Sequence, residues 1–154
     1  MKVNLGTLVV TSPEFEHGGR IPERFTMAGE SISPPLSWSG VPEGTQSFAL
    51  LVHDADAPMV NGFTHWVVWG IPADRTSIAE GESSYPSGAN GLGREGWFPP
   101  GPPAGHGDHF YYFHLYALDA PLDLEPNADP TAFLAAVEEH VIAQARIVGV
   151  YGTD

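Results

Sequence analysis

The sequence predicts a mainly β, sandwich-like domain with one late helix and long loops. Three observations predict it. Two runs, Ser47–His53 and His65–Ile71, are short, almost wholly apolar and bounded by turn residues, as strands buried on both faces are. A third run, His109–Leu118, is filled with aromatics, which favour strands. Finally, 18 Gly and 15 Pro are scattered through the 154 residues without a period, as the punctuation of many strands and turns.

In chain order, Leu5–Thr11 reads as a strand through Leu8, Val9 and Val10, and Ser12–Ile21 as a Gly-rich turn region. The segment from Phe25 is irregular and ends in Ser33-Pro34-Pro35, because proline holds its predecessor extended. Leu36–Trp38 is a strand closed by Gly40-Val41-Pro42-Glu43-Gly44. Asp54–Gly62 is the loop between the two apolar strands, and Pro72 stops the second. Residues 74–105 form a connection rich in Gly, Pro and Ser. Its length marks it as functional, and Trp97 and Phe98 mark it as packed. Asp129 is an N-cap with Pro130 at the first helical position. Phe133, Leu134, Val137 and Val141 then follow at helical spacing, giving a helix over about 130–144. Arg146–Tyr151 is a closing strand. The length suits one domain, residues 1–154, with no repeat and no linker.

Composition excludes several classes. With 19 Asp+Glu against 6 Lys+Arg the net charge is −13 at pH 7. Such a surface repels phosphate backbones and anionic lipid, so nucleic acid is not expected as a partner. Any anion must be held by local geometry against this field. There is no cysteine, hence no disulfide or thiolate chemistry. Met1–Leu5 shows no basic start followed by a long apolar stretch, and no run reaches membrane length. The expectation is a cytoplasmic protein with no stable membrane insertion.

Strand alternation gathers the chemistry. Phe48, Leu50, Val52 and Asp54 share one face of their strand. His65, Val67 and Trp69 are expected to share one face of theirs, and His109, Tyr111, Phe113 and Leu115 one of theirs. If the strands are neighbours, Asp54, His65, His109 and Tyr111 meet at one rim, an apolar floor with a few aimed polar groups. His53 and His114 fall on the opposite faces. His106 and Asp108 sit in a turn flanked by Gly105 and Gly107 and read first as solvated loop, with a role at the rim of the pocket as the alternative, since loops carry function.

Three segments then carry a resemblance. Asp54-Ala55-Asp56-Ala57-Pro58, His65-Trp66-Val67-Val68, and Gly101-Pro102-Pro103 leading to His109-Phe110-Tyr111 together resemble the signature of the phosphatidylethanolamine-binding protein family, its bacterial and archaeal (Raf kinase inhibitor-like) branch above all. The likeness runs from Phe25 through Gly91-Leu92-Gly93-Arg94 to the last strand. It implies an antiparallel Greek-key β-sandwich. It also implies a pocket for phosphate and phospho-head-group anions, with Asp54, His65, Gly101, Pro102, His109 and Tyr111 as ligand contacts. Asp56, Pro58 and Pro103 would shape it, with a cis bond before Pro58. Each imidazole could donate to a phosphate oxygen, and Tyr111 adds a hydroxyl. The resemblance further implies a homodimer and a regulatory partner of the kinase or serine protease class.

Two positions depart from the family pattern. Ala55 stands where the family has Pro, and Phe110 where it has Arg. Either Arg94 replaces that cation from the long loop, or phosphate is held more weakly. The chain also ends at Asp154 without the terminal helix of eukaryotic members, so a more open pocket is expected. The reading is a binding module, with no catalytic residue, cofactor or metal assigned. The alternative is a hydrolase using a histidine with Asp54 as its orienter. Against it, Ser83, Ser84 and Ser87 lack a nucleophile-elbow motif. A metal site of His53, Asp54, Asp56 and His65 is weakened because alternation turns His53 away from Asp54.

Overall fold

The computed structural model describes residues 7–153. Leu5 and Gly6, the expected start of the first strand, lie outside the described residues, as do Met1–Asn4. Eight strands, a single 3-10 turn (Glu23–Phe25) and one helix follow in the order β1 (Val9–Thr11), β2 (Gly19–Arg20), β3 (Leu36–Ser39), β4 (Ser47–Asp54), β5 (Phe63–Pro72), β6 (Ser77–Ile78), β7 (His109–Leu118), α1 (Pro130–His140) and β8 (Val141–Tyr151). The large sheet has strand order β2-β8-β7-β4-β5 and the small one β1-β3-β6. All pairings are antiparallel except the short β2–β8 contact, where Gly19 faces Gly149.

The continuous apolar runs of β4 and β5 follow from burial on both sides of the large sheet. Phe48, Leu50, Val52, Phe113 and Leu115 pack against Leu36, Trp38 and Ile78 of the small sheet. On the other side Ala49, Leu51, Val67, Trp69 and Leu118 pack against Phe133 and Val137 of α1. The Asp129 carboxylate accepts from the Ala132 amide at 2.8 Å, the expected cap.

Four expectations are corrected. The helix ends at His140, not near residue 144, and Val141 starts β8 by pairing with Leu118. Val141 is buried in the same apolar cluster as Val137, so its helical spacing is compatible with either state. The open edge of β7 and the β-branched Val141-Ile142 decide for strand. Leu134 faces solvent at 41% exposure rather than the core. No cis peptide occurs among the described residues. The loop after β4 reverses through Asn61 and Gly62, at φ 67° and 69°, so Pro58 needs no cis bond.

The fourth correction concerns β5. Val52 pairs with Trp66 but His53 pairs with Thr64, so His65 is an extra residue, a β-bulge. Beyond it the alternation resets. Trp66 and Val68 join the core under the small sheet, while Val67 and Trp69 join the helix-side core. His65 therefore does not share a face with Val67 and Trp69. The long connection is packed: Ser77–Ile78 pairs with β3, and Trp97 lies 6.2 Å from Phe113 (28° between planes) and edge-on to Trp66. No helix among the described residues is long and apolar enough to cross a membrane.

Candidate functional site

Asp54 is the last residue of β4 and pairs across from both Phe63 and Tyr111, which brings the ends of β4, β5 and β7 together. There a cavity of about 290 Å³ is lined by Asp54, Pro58, His65, His109 and Tyr111, with Gly101, Pro102 and Pro103 of the long loop. All six expected ligand contacts thus meet in one place, and of the three pocket-shaping residues Pro58 and Pro103 reach the cavity. Asp56 stands behind it: its Oδ2 accepts the Phe110 amide at 2.9 Å. That backbone bond supplies Asp56 with a partner where the resemblance led us to look for an arginine side chain. Arg94 does not substitute; it is exposed and absent from the lining.

The polar groups form one buried chain. Asp54 Oδ1 accepts the Asp56 amide at 2.8 Å, and Asp54 Oδ2 lies 2.7 Å from His109 Nδ1. Asp54, His65 and His109 are 3%, 4% and 2% exposed, which is tolerable for such groups only because each has a partner. His65 Nδ1 lies 2.6 Å from the Phe98 carbonyl, and the Phe98 amide donates to the His65 carbonyl at 2.8 Å. The bulge thus turns His65 toward the long loop, and the loop holds it at both ends. His65 also meets Phe63 and Tyr111 edge-on.

Burial keeps His65 neutral, lowering its pKa to about 4, against the opposing pull of the Phe98 carbonyl and Asp54. A neutral imidazole that donates from Nδ1 has only a lone pair at Nε2. Donation from His65 to an anion therefore requires a second proton on the ring. The same burial raises the Tyr111 hydroxyl pKa, with Asp54 and Asp56 adding to it, so Tyr111 keeps its proton.

This shift fixes a pH dependence. The unfolded chain takes a proton on this histidine near pH 6.5, the folded chain only near 4. Between those values the unfolded state binds more protons, so stability falls as pH falls, by up to ~1.4 kcal/mol per pH unit, and levels off below. Denaturant midpoints measured from pH 7 to 4 should show a shallower acid loss for His65→Gln than for the unaltered chain.

His106, read first as solvated loop, takes the alternative place at the rim. Its Nδ1 lies 2.9 Å from His109 Nε2, so the turn it sits in folds back onto the site. Glycine on both sides was the available signal. Gly101 lies against Met27, whose side chain would have to move to admit a Cβ there. Met27 is half exposed, like Met59 and Leu92, and all three rim the cavity.

His53 and His114 lie on the outer side as expected. His114 stacks between Tyr112 and Tyr116, and burial first, then Arg146 and His53, lowers its pKa to about 4. A larger cavity, about 500 Å³, lies elsewhere and is lined by Ser83, Ser87, Trp66, Tyr85 and Trp97. The titratable groups converge in the smaller one, which is the better candidate for that reason. Ser83 and Ser87 therefore sit apart from Asp54 and His109, and no serine lines the smaller cavity. Among the described residues no three of His, Asp and Glu are grouped as metal ligands, and His53 bonds toward Thr64.

Known proteins share this fold. A family model described as phosphatidylethanolamine-binding protein matches residues 11–152. A UPF0098 protein of Methanothermobacter thermautotrophicus is 46% identical over 144 residues, covering 89% of this chain and 93% of that one. Among solved structures, the phosphatidylethanolamine-binding protein homologue CT736 of Chlamydia trachomatis superposes with a TM-score of 0.90 at 36% identity, over 96% of this chain and 99% of that one. Escherichia coli YbcL, described as a member of the mammalian PEBP family, does so with a TM-score of 0.90 at 32% identity, over 97% and 100%.

Proposed function

Because the chain belongs to the phosphatidylethanolamine-binding protein family, we propose that it binds a small phosphorylated or otherwise anionic molecule between Asp54, His65, His109 and Tyr111. The ligand carries a proton donor beside its anion, as a phosphoethanolamine head group does. One observation carries this reading. His65 commits its Nδ1–H to the Phe98 carbonyl and stays neutral, so its remaining nitrogen accepts and does not donate. An ammonium or hydroxyl satisfies that lone pair, while Tyr111 donates to the anion.

Among the described residues no Lys or Arg lines the cavity. Arg24 is held by Glu14, Glu30 and Glu80, and Arg75 by Glu82. A bare dianion would face the net charge of −13 with no fixed cation beside it. A zwitterionic ligand avoids much of that repulsion. The half-exposed Met27, Met59 and Leu92 fit an apolar group esterified to the phosphate.

Histidine ring signals followed by two-dimensional NMR test the reading. Phosphoethanolamine should shift His65 and His109 together and saturably, more than phosphate and far more than acetate. Rings that stay unmoved at millimolar phosphoethanolamine would sink it.

A second reading has the same rim as its support. Met59, and Val60 at 91% exposure, form an apolar surface that suits contact with a kinase or serine protease. Inhibition of a purified protease of that class, lost in Val60→Asp while the anion response is kept, would favour it. We also propose a cytoplasmic homodimer, in keeping with the family resemblance; light scattering on the purified chain checks the dimer. Hydrolysis has the Asp54–His109 pair in its favour but would need water as the nucleophile, since the cavity holds no serine.

A further inference from the structure

We propose that His106 is a displaceable third imidazole of the pocket, occupying the ligand-binding nitrogen of His109 until an anion replaces it, and that one proton is taken up onto His109 in the exchange. This rests on the reading of the cavity as an anion site.

The hydrogen-bond chain dictates the exchange. Both oxygens of Asp54 are committed, Oδ1 to the Asp56 amide and Oδ2 to His109 Nδ1. The carboxylate accepts, so His109 Nδ1 carries a hydrogen, and in the neutral ring Nε2 is then a lone pair. His106 Nδ1 lies 2.9 Å from that nitrogen, and two imidazole nitrogens at that distance share a single proton. With His109 neutral, His106 is the donor. In this state His109 has nothing to offer an anion, and its outward nitrogen is covered.

An anion oxygen at Nε2 needs an N–H there. His109 must gain a proton, and His106 must withdraw. Asp54 on β4, with Oδ2 2.7 Å from His109 Nδ1, is the carboxylate in contact with His109. Asp56 in the loop after β4, bonded to the Phe110 amide, and Asp108 just before β7 are the acidic residues next along the chain. His65 on β5 is kept uncharged by burial and does not oppose a charge on His109. Tyr111 on β7 keeps its phenol un-ionised because burial raises its pKa, and Tyr151 on β8 lies opposite His109. His53, on the outer side of β4, is turned toward Thr64.

Withdrawal of His106 is sterically free. The residue is exposed, its flanking Gly105 and Gly107 sit at φ 78° and 81°, and a Cβ at either would meet nothing within 4 Å. The turn is held by the Gly105 amide on the Thr153 carbonyl and by the His106 amide on the Pro103 carbonyl, at 3.3 and 3.1 Å. A side-chain rotation of His106 breaks neither bond.

Proton-coupled binding has a sign. Where one proton is taken up, affinity rises as pH falls, by as much as about tenfold per pH unit. Calorimetry of phosphoethanolamine binding at pH 8, repeated in buffers of different ionisation enthalpy, counts the protons directly. At that pH the phosphate is fully ionised (second pKa about 6) and a primary ammonium near 10.4 is intact, so the ligand does not release the proton counted. Nitrogen NMR of the rings then locates the proton.

The unaltered chain should take up about one proton per ligand, appearing at His109 Nε2. His106→Ala should bind about 3- to 10-fold more tightly, the worth of the hydrogen bond no longer broken, and should still take up its proton at His109. Binding by the unaltered chain with no proton uptake overturns the inference and leaves the anion site standing. So does a His106→Ala variant that binds more weakly. Absence of any binding heat and of any ring shift overturns the anion-site reading itself, and this inference with it.

Discussion

Asp54→Ala should lower folding stability by about 2–4 kcal/mol, because a buried donor left without its acceptor costs about 1–3 kcal/mol and the Asp56 amide loses its partner as well. The truncation strands two donors at once. The Asp56 amide and His109 Nδ1 both point at the lost carboxylate, and neither residue 54 nor residue 109 has access to water. The loop after β4 loosens, because the Asp56 amide is its first anchor, and His109 is free to change tautomer. Urea denaturation gives the stability loss, and the His109 ring signals give the loss of orientation. Asp54→Asn, which keeps the volume and one acceptor, should lose less stability. An Asp54→Ala protein of normal stability with unchanged His109 signals would mean that the pair contributes nothing to the fold.

Phe113→Ala should be at least as costly, ~3–5 kcal/mol, for a different reason. Phe113 is fully buried at the centre of β7, 5.5 Å from Phe15 and stacked on Trp97. Its ring is the surface on which the long connection lies. Removing it leaves a cavity under Trp97 and, at the very next residue, loosens the grip of the Phe98 carbonyl on His65. Faster hydrogen exchange over residues 86–98 and a red-shifted tryptophan emission should accompany the stability loss. Phe133→Ala, equally buried but in the helix-side core, should cost a similar amount while leaving His65 unaffected. If both variants disturb His65 alike, the two cores are not separate in the way the packing indicates.

The contrast shows why parts of this fold were legible in the sequence. β7 is readable to the residue because ten consecutive strand-forming side chains are bounded by Gly107-Asp108 and Asp119. The Asp129-Pro130 start of α1 is readable because capping chemistry is local. The convergence of Asp54, His109 and Tyr111 follows from simple alternation on two strands that are neighbours. What escaped depends on tertiary context. The end of α1 is set by an open strand edge 23 positions earlier, at Leu118, which no window around Val141 contains. β2 and β6 are two residues each, too short to leave a pattern. His106 reads first as solvent-facing loop because only the folded turn aims it at His109. Whether a histidine donates or accepts depends on its partner at the other nitrogen, here a carbonyl 33 residues away for His65.

The bulge in β5 also says how the site could have been added to the sheet. Phe63 faces inward and Thr64 outward, and Trp66 faces inward again, across from Val52. Excising His65 alone would restore alternation from Phe63 to Trp69, with His53 and Val52 opposite neighbouring residues; the other register shift, between Phe48 and Leu50, lies further along the strand. Excising Val67 instead would invert one end of the strand relative to the other. His65 is in this sense an insertion that the sheet tolerates rather than a member it requires. Gain or loss of the pocket's neutral imidazole is one codon's work, with the architecture around it undisturbed.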